Sequence, residues 1–436
     1  MGFFEAENFK NGENDVLLQP VIRKVTEKMK PMLLLSLLLL AHLCMQAHEK
    51  EIYIPHDLQD MDLMGDSEGW SLKRTVKSEN FVVFWEKGFG SDPSNAPKLE
   101  GHSMNVDLKN LLERLESYYA FYRDTLQFVR PGSKSEKYRM MVMISYSLEG
   151  TAYGGDYDGV IGALWVAPNR IQDRKLNCIA HELGHCFQSQ IRCDGQGGEG
   201  HLGGFHEMTS QWMLWQVNPE WMTDEKYHWQ EFIRSTHLPL FDRRNIYHSP
   251  YVLEYWGWKH GRWVLAELYR QVRKGEDPAE TYKRVLGLTQ QQLNDEMFDC
   301  YCRLVTYDMP RIHSAASPYA GKWEVTDQRL GNYGFNIHDL TLKLKTMGKG
   351  ERLSVTLQGQ TPESQEAAEW SWGFVAVKDD GTPVYGAQKR GKKGTIRFRP
   401  EGKERFRQLF LVVVATPSVY LKRGEPYPYS LSIKNS

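Results

Sequence analysis

Three kinds of hydrophobic spacing succeed one another along the chain. In the first part, the continuous apolar runs Phe81–Trp85, Met140–Ile144 and Val160–Val166 predict buried strands. Between the first two, Leu108, Leu111, Leu112, Leu115, Tyr118, Tyr119 and Tyr122 recur at helical spacing, a stripe over roughly five turns. The glycine-rich stretch Tyr153–Asp156 reads as a turn leading into the third strand. Strand, long helix, strand, strand and a further helix imply a mixed sheet with helices on it. From Phe205 to about Arg311 the spacing is mostly helical, clearest over Trp263–Val272 and Gln292–Tyr301. After Pro318 the pattern changes again. Leu340–Leu344, Leu353–Leu357, Trp372–Val377, Thr395–Phe398 and Leu409–Val414 are short runs separated by turn residues, and they predict a β-sandwich. The fold class is therefore α+β, with one domain over residues 70–316 and a sandwich over 317–436.

The N-terminal region has a different logic. An apolar run of about eleven residues after Met32 follows Arg23, Lys24, Lys28 and Lys30, which suits a signal peptide and is too short to span a bilayer. Residues 1–47 are read as that signal region, with Met29 an alternative start and cleavage after Ala47. Residues 48–69, rich in acidic side chains, read as a polar linker. Export to a secreted, periplasmic or cell-surface location follows, with no membrane span in the mature protein.

Bulk composition narrows the function classes a little. The chain of 436 residues has a formal net charge of -1, which gives nucleic acid and membrane surfaces no attraction to it. Of six cysteines, Cys44 leaves with the signal, and the remaining five lack zinc-finger spacing. Buried free thiols are their expected state. Thirteen tryptophans and 22 tyrosines supply large cores. Trp370, Trp372 and Tyr385 are candidates for a sugar-stacking platform on the C-terminal domain.

The chemistry concentrates in the run HELGH at 181–185. Leu176, Ile179, Leu183 and Phe187 recur at helical spacing, so the segment is a helix with one face packed inward. His181 and His185 stand one turn apart on a neighbouring face, where two imidazoles can reach one ion, and Glu182 sits beside them. Gly184 costs about 1 kcal/mol relative to alanine inside a helix, so it implies that another backbone approaches there. A catalytic zinc needs a third protein ligand. Glu207, in the first turn of a second helix beginning near Phe205, is the main candidate; His206, Glu199 and His201 are its rivals.

These residues resemble the gluzincin metallopeptidases, which carry HExxH on one helix and a glutamate on the next. The run FHEMTSQW at 205–212 is similar to enhancin-like and mucin-targeting members, and to exported bacterial zincin-like proteins of unknown function. The latter resemblance extends to SENFVVF at 78–84, YGFN at 333–336 and FVAVKDDG at 374–381. It implies a zincin-like catalytic domain: a mixed sheet, an active-site helix and a helical C-terminal subdomain. It also implies Zn2+ on His181, His185 and Glu207, Glu182 as general base, and peptide-bond hydrolysis in an extracellular protein or glycoprotein. A downstream tyrosine or histidine would stabilise the oxyanion, with Tyr247, His248, Tyr251 and Tyr255 as candidates. The strand Val160–Val166 is expected to be the sheet edge that binds an extended substrate. The competing reading is a silent zincin scaffold whose sandwich binds carbohydrate or protein.

Overall fold

Apolar runs without alternation form strands that are covered on both faces, and the first sheet is built from them. The computed structural model describes residues 49–198, 202–348, 350–360, 367–400, 405–420 and 425–435. The predicted signal region lies outside these residues, as do Glu199 and His201. Strands β1 (Thr75–Lys77), β2 (Phe81–Trp85), β3 (Met140–Ile144), β4 (Ala152–Tyr157) and β5 (Ile161–Val166) make one mixed sheet in the order β1-β2-β3-β5-β4. β2, β3 and β5 run parallel, and β4 returns antiparallel along β5. Two expectations are corrected here. The glycine-rich stretch at 153–156 is strand, not turn, and it takes the outer position. Val160–Val166 is therefore internal, hydrogen-bonded on both sides, and the open edge belongs to β4.

The helical stripe at 108–122 is α1 (Leu108–Asp124), with Leu111, Leu115, Tyr118, Tyr119 and Tyr122 buried. The motif helix α2 (Asn177–Cys193) lies against β4 and β5. Next come α3 (Phe205–Val217), α4 (Lys226–Ser235), α5 (Tyr251–His260), α6 (Val264–Gln271), α7 (Pro278–Val285) and α8 (Gln290–Leu304). The buried Glu254 of α5 accepts hydrogen bonds from Trp212 and Gln216 of α3 and pairs with Arg311, which locks α3 in place. Residues 51–69 do not run free as a tether. Glu51 exchanges backbone hydrogen bonds with Lys137 and Arg139, and Leu58 and Leu63 are buried in the main core.

Beyond Pro318 two antiparallel sheets stack. One contains β7 (Phe335–Asp339), β9 (Trp370–Lys378), β10 (Pro383–Tyr385), β11 (Lys389–Gly391) and β13 (Phe406–Ala415). The other contains β6 (Arg329–Leu330), β8 (Leu353–Gly359), β12 (Lys393–Phe398) and β14 (Tyr427–Asn435). Alternate residues of β9 and β13 serve different cores. Trp370, Trp372, Phe374, Leu409, Leu411 and Val413 face β8 and β14, whereas Val375, Val377, Phe410, Val412 and Val414 join the core of the helical region. This sheet is thus a middle layer, which explains why β9 and β13 read as unbroken apolar runs while β8 alternates.

Two further sequence expectations fail in this region. Leu340–Leu344 is not a strand but α9 (Thr341–Thr346). Its leucines alternate, yet Leu340 and Leu344 are also one helical turn apart, and both pack on the second core. Asp339 accepts the Thr341 amide and turns the chain into the helix. Trp370 and Trp372 are fully enclosed and offer no stacking face to a sugar. The elements from Glu51 onward form a single unit, and no helix among the described residues is long and apolar enough to cross a membrane.

Candidate metal centre

Helix α2 is placed by two glycines that let backbones meet. A Cβ on Gly184 would overlap Ser210 of α3, and one on Gly154 of β4 would overlap the Glu182 carbonyl oxygen. Through the first contact Ser210 Oγ donates to the His181 carbonyl at 2.6 Å, tying α2 to α3. Through the second, the Gly154 amide donates to Glu182 Oε2 at 2.9 Å, tying α2 to β4. The apolar stripe does the rest: Leu176, Ile179, Leu183 and Phe187 are all buried.

This packing brings His181, His185 and Glu207 together. The two Nε2 atoms each lie 3.1 Å from the same oxygen, Glu207 Oε2, and the three ligand-type atoms are all within 4.8 Å of one another. The far side of each ring is also held. Gln211 Oε1 stands 2.8 Å from His181 Nδ1, and Gln188 Oε1 stands 3.0 Å from His185 Nδ1. Gln188 Nε2 donates to the His206 carbonyl, which fixes the direction of its amide. His185 Nδ1 therefore carries a proton, and with Gln211 Oε1 as the acceptor so does His181 Nδ1. In neutral rings both Nε2 lone pairs then face a carboxylate oxygen, so three acceptors converge on one point. Such a group demands positive charge among them, from protons or from a cation.

The titration directions express the same demand. Burial works against charge on Glu207, but hydrogen bonds from His181 and His185 outweigh it and hold the carboxyl far below its ordinary range. Burial also opposes charge on His185, yet Glu207 raises that imidazole's pKa. Glu182 moves the other way from Glu207. Its burial dominates, ahead of its imidazole neighbours, and its pKa is raised.

Of the four downstream candidates, the structure brings two to this place. The Tyr247 ring lies 5.9 Å from that of His181. Its phenol is pushed up to about 12, by burial and then by the neighbouring Glu207 charge. His248 lines the same cleft, with Nδ1 2.6 Å from Nδ1 of His228. Tyr251 is placed elsewhere: it is buried among Trp215, Phe232 and Tyr307. Tyr255 is buried too, and its hydroxyl donates to Asp299. His206 borders the site but turns its Nδ1 to Gln188 instead of the cluster.

Two hollows meet at His181, Glu182 and Tyr247. One, of about 420 Å³, runs past β4 and is bordered by Tyr153, Gly154, Ser189 and Arg192. The other, of about 480 Å³, extends toward Arg170, Cys178, Tyr227 and His228. Both are of a size that takes a side chain or a small ligand. Sequence reading missed Gly154, Gln188 and Gln211 as site residues. The two glutamines had a signal: Gln188 follows His185 by three residues and Gln211 follows Glu207 by four, each on the ligand's own helix face. Gly154 had none, because a glycine in a strand looks like a glycine in a turn.

The sequence model of a family of unknown function (DUF6055) matches residues 44–436, and the chain belongs to that family. No curated protein matches it. Among solved structures it is similar to the ZmpB metallopeptidase from Clostridium perfringens, at 12% identity over 85% of this chain and 68% of that one, with a TM-score of 0.33. It is also similar to a Clostridium perfringens ZmpB structure comprising the M60 catalytic domain with two CBM51 domains. There the identity is 13% over 85% of this chain and 37% of that one, with a TM-score of 0.31.

Proposed function

We propose that this member of the DUF6055 family is an exported zinc-dependent peptidase of the gluzincin kind, acting on peptide bonds of proteins or glycoproteins. Residues 70–316 would form its zincin-like catalytic domain and 317–436 an accessory β-sandwich. One observation carries the reading: two imidazole nitrogens and one carboxylate oxygen converge on an open cleft, with an uncoordinated glutamate beside them. The donor set fits zinc. Bonds of about 2.0 Å in a tetrahedral site put neighbouring ligand atoms about 3.3 Å apart, close to the 3.1 Å from each Nε2 to Glu207 Oε2. His181, His185 and Glu207 would hold the ion, which supplies Lewis acidity toward a carbonyl and toward water.

The protein's own groups have clear parts in such a reaction. Gly154 holds Glu182 by Oε2 and leaves Oε1 to take a proton from the attacking water and return it to the departing amine. Burial makes this carboxylate a better base by raising its pKa. The phenol of Tyr247, protonated up to about 12, is a donor for the developing oxyanion. Gln211 and Gln188 keep both rings in the tautomer that presents Nε2. The outer edge of β4 is the place for an extended substrate.

The test combines metal analysis with proteolysis. Purified wild type should carry about one zinc per chain, and His181→Ala should lose it. Glu182→Gln should keep the zinc while cleavage of a glycoprotein panel falls about 10²- to 10⁴-fold. Full activity in Glu182→Gln, or folded wild type that takes up no zinc, overturns the proposal.

A further inference from the structure

The larger hollow beside Glu182 has a floor that the reaction itself does not use. Glu225, His228 and His248 form a chain there: Glu225 Oε2 lies 3.3 Å from His228 Nε2, and His228 Nδ1 meets His248 Nδ1 at 2.6 Å. Glu225 looks at first like an attraction for a cationic residue. Its oxygens are taken, however. Asn177 donates to Oε1 at 2.7 Å, and Trp221 donates to Oε2 at 3.1 Å, the oxygen that His228 also faces. A carboxylate met by three donors offers little to a fourth.

The mouth of the hollow has the opposite character. Arg170 is exposed, and its Nε donates to the Gly150 carbonyl, which orients the guanidinium. Among the described residues no carboxylate pairs with it. Its two Nη groups are thus a preset fork without an anion, on a wall shared with the phenol of Tyr227 and the imidazole of His248. Glu182, the other acid in the hollow, is held by the Gly154 amide at the end nearest the metal ligands.

We infer that this hollow is a specificity subsite for a substrate side chain ending in a carboxylate, next to the bond that is cut, with Arg170 as its anchor. The inference rests on the peptidase reading above. A guanidinium fork matches a carboxylate in plane and charge, and such a charge-assisted pair discriminates against the neutral amide of the same shape. Bound there, an aspartate or glutamate side chain meets donors on the wall, while the carboxylate on the floor is turned to donors of its own.

The experiment is a digest of a proteome-derived peptide library by zinc-loaded wild type and by Arg170→Gln, with the residues flanking every cut bond counted. Wild type should enrich Asp and Glu at one position adjoining the cut, and Arg170→Gln should abolish that enrichment. Absence of acidic enrichment at every flanking position, or enrichment that survives in Arg170→Gln, overturns the inference. If zinc-loaded wild type cuts no peptide at all, the peptidase reading is what fails, and the subsite is then judged by binding. Calorimetry on Glu182→Gln with twin peptides that differ by one Glu-to-Gln change should show the acidic twin binding about tenfold to a hundredfold more tightly. Equal binding of the twins overturns the subsite on its own.

Discussion

Helix α2 and the strand pair β9 and β13 are both enclosed on nearly every side, yet they are filled in opposite ways. The strands place apolar residues on both faces and bury few polar groups: the Ser371 and Thr416 hydroxyls pair at 2.8 Å, while the indole N–H groups of Trp370 and Trp372 meet no acceptor. Helix α2 buries Asn177, His181, Gln188, Ser189 and Gln190 among its apolar stripe. Burying such groups costs free energy unless each finds a partner. Most do, but the partners of His181 and His185 leave both Nε2 atoms aimed at one carboxylate oxygen. The polarity of the strands is sparse and scattered. That of the helix points to something outside the chain.

The contrast can be broken by removing material from each side. Trp372→Ala empties part of the core between the two C-terminal sheets and should cost about 3–5 kcal/mol in urea unfolding. Zinc uptake per folded chain should not change, and a parallel fall in zinc affinity would show that the two regions are not separate in this sense. A pH series sharpens the same division. His338 of β7 is half-buried with Nε2 2.6 Å from the Tyr429 hydroxyl, and desolvation lowers its pKa from 6.5 to about 4. The unfolded chain binds this proton below pH 6.5, whereas the folded chain binds it only near pH 4. Its stabilising effect is full above pH 6.5 and fades as pH falls toward 4, by up to about 3 kcal/mol. His338→Gln should flatten the stability profile across that window; an unaltered profile rules the effect out.

On the side of the helix, Gly154→Ala pushes β4 away from Glu182, and a displacement of about 1 Å at a reacting centre costs on the order of 10²-fold in turnover. Wild-type turnover in this variant would mean that the strand does not position the base. The smallest effect is expected from Gln211→Leu, which frees the His181 ring and should weaken zinc binding about tenfold to a hundredfold with the fold intact. Unchanged affinity would reduce Gln211 to packing.

What the sequence made legible follows the same division. Hydrophobic period reveals α1, α2 and the doubly covered strands because burial is what sets the period. It places Leu340–Leu344 wrongly because five residues fit a strand and one helical turn equally well. It cannot order strands in a sheet, and so Val160–Val166 looked like an edge when β4 lies outside it. At the site, His181, Glu182 and His185 are readable because one helix fixes their spacing. Glu207 is nearly so, since helical phase turns it away from the Phe205, Met208 and Trp212 stripe. Tyr247 and Tyr251 differ by one helical turn in number, but one lies beside His181 and the other inside the core, a distinction only tertiary packing makes. Arg170 and Gly154 carry no motif at all.

The hydrogen bond between Gly154 and Glu182 has a consequence for how this protein meets other chains. An outermost strand ordinarily exposes a row of free amides, an open invitation to any stray strand, including one from another copy of the same molecule. In β4 the row is interrupted where Glu182 has claimed the Gly154 amide. A foreign strand laid along this rim would lose its ladder partner at that residue and find a carboxylate in the way. The bond that holds the glutamate in place therefore leaves any strand that pairs along β4, a substrate included, one rung short at Gly154.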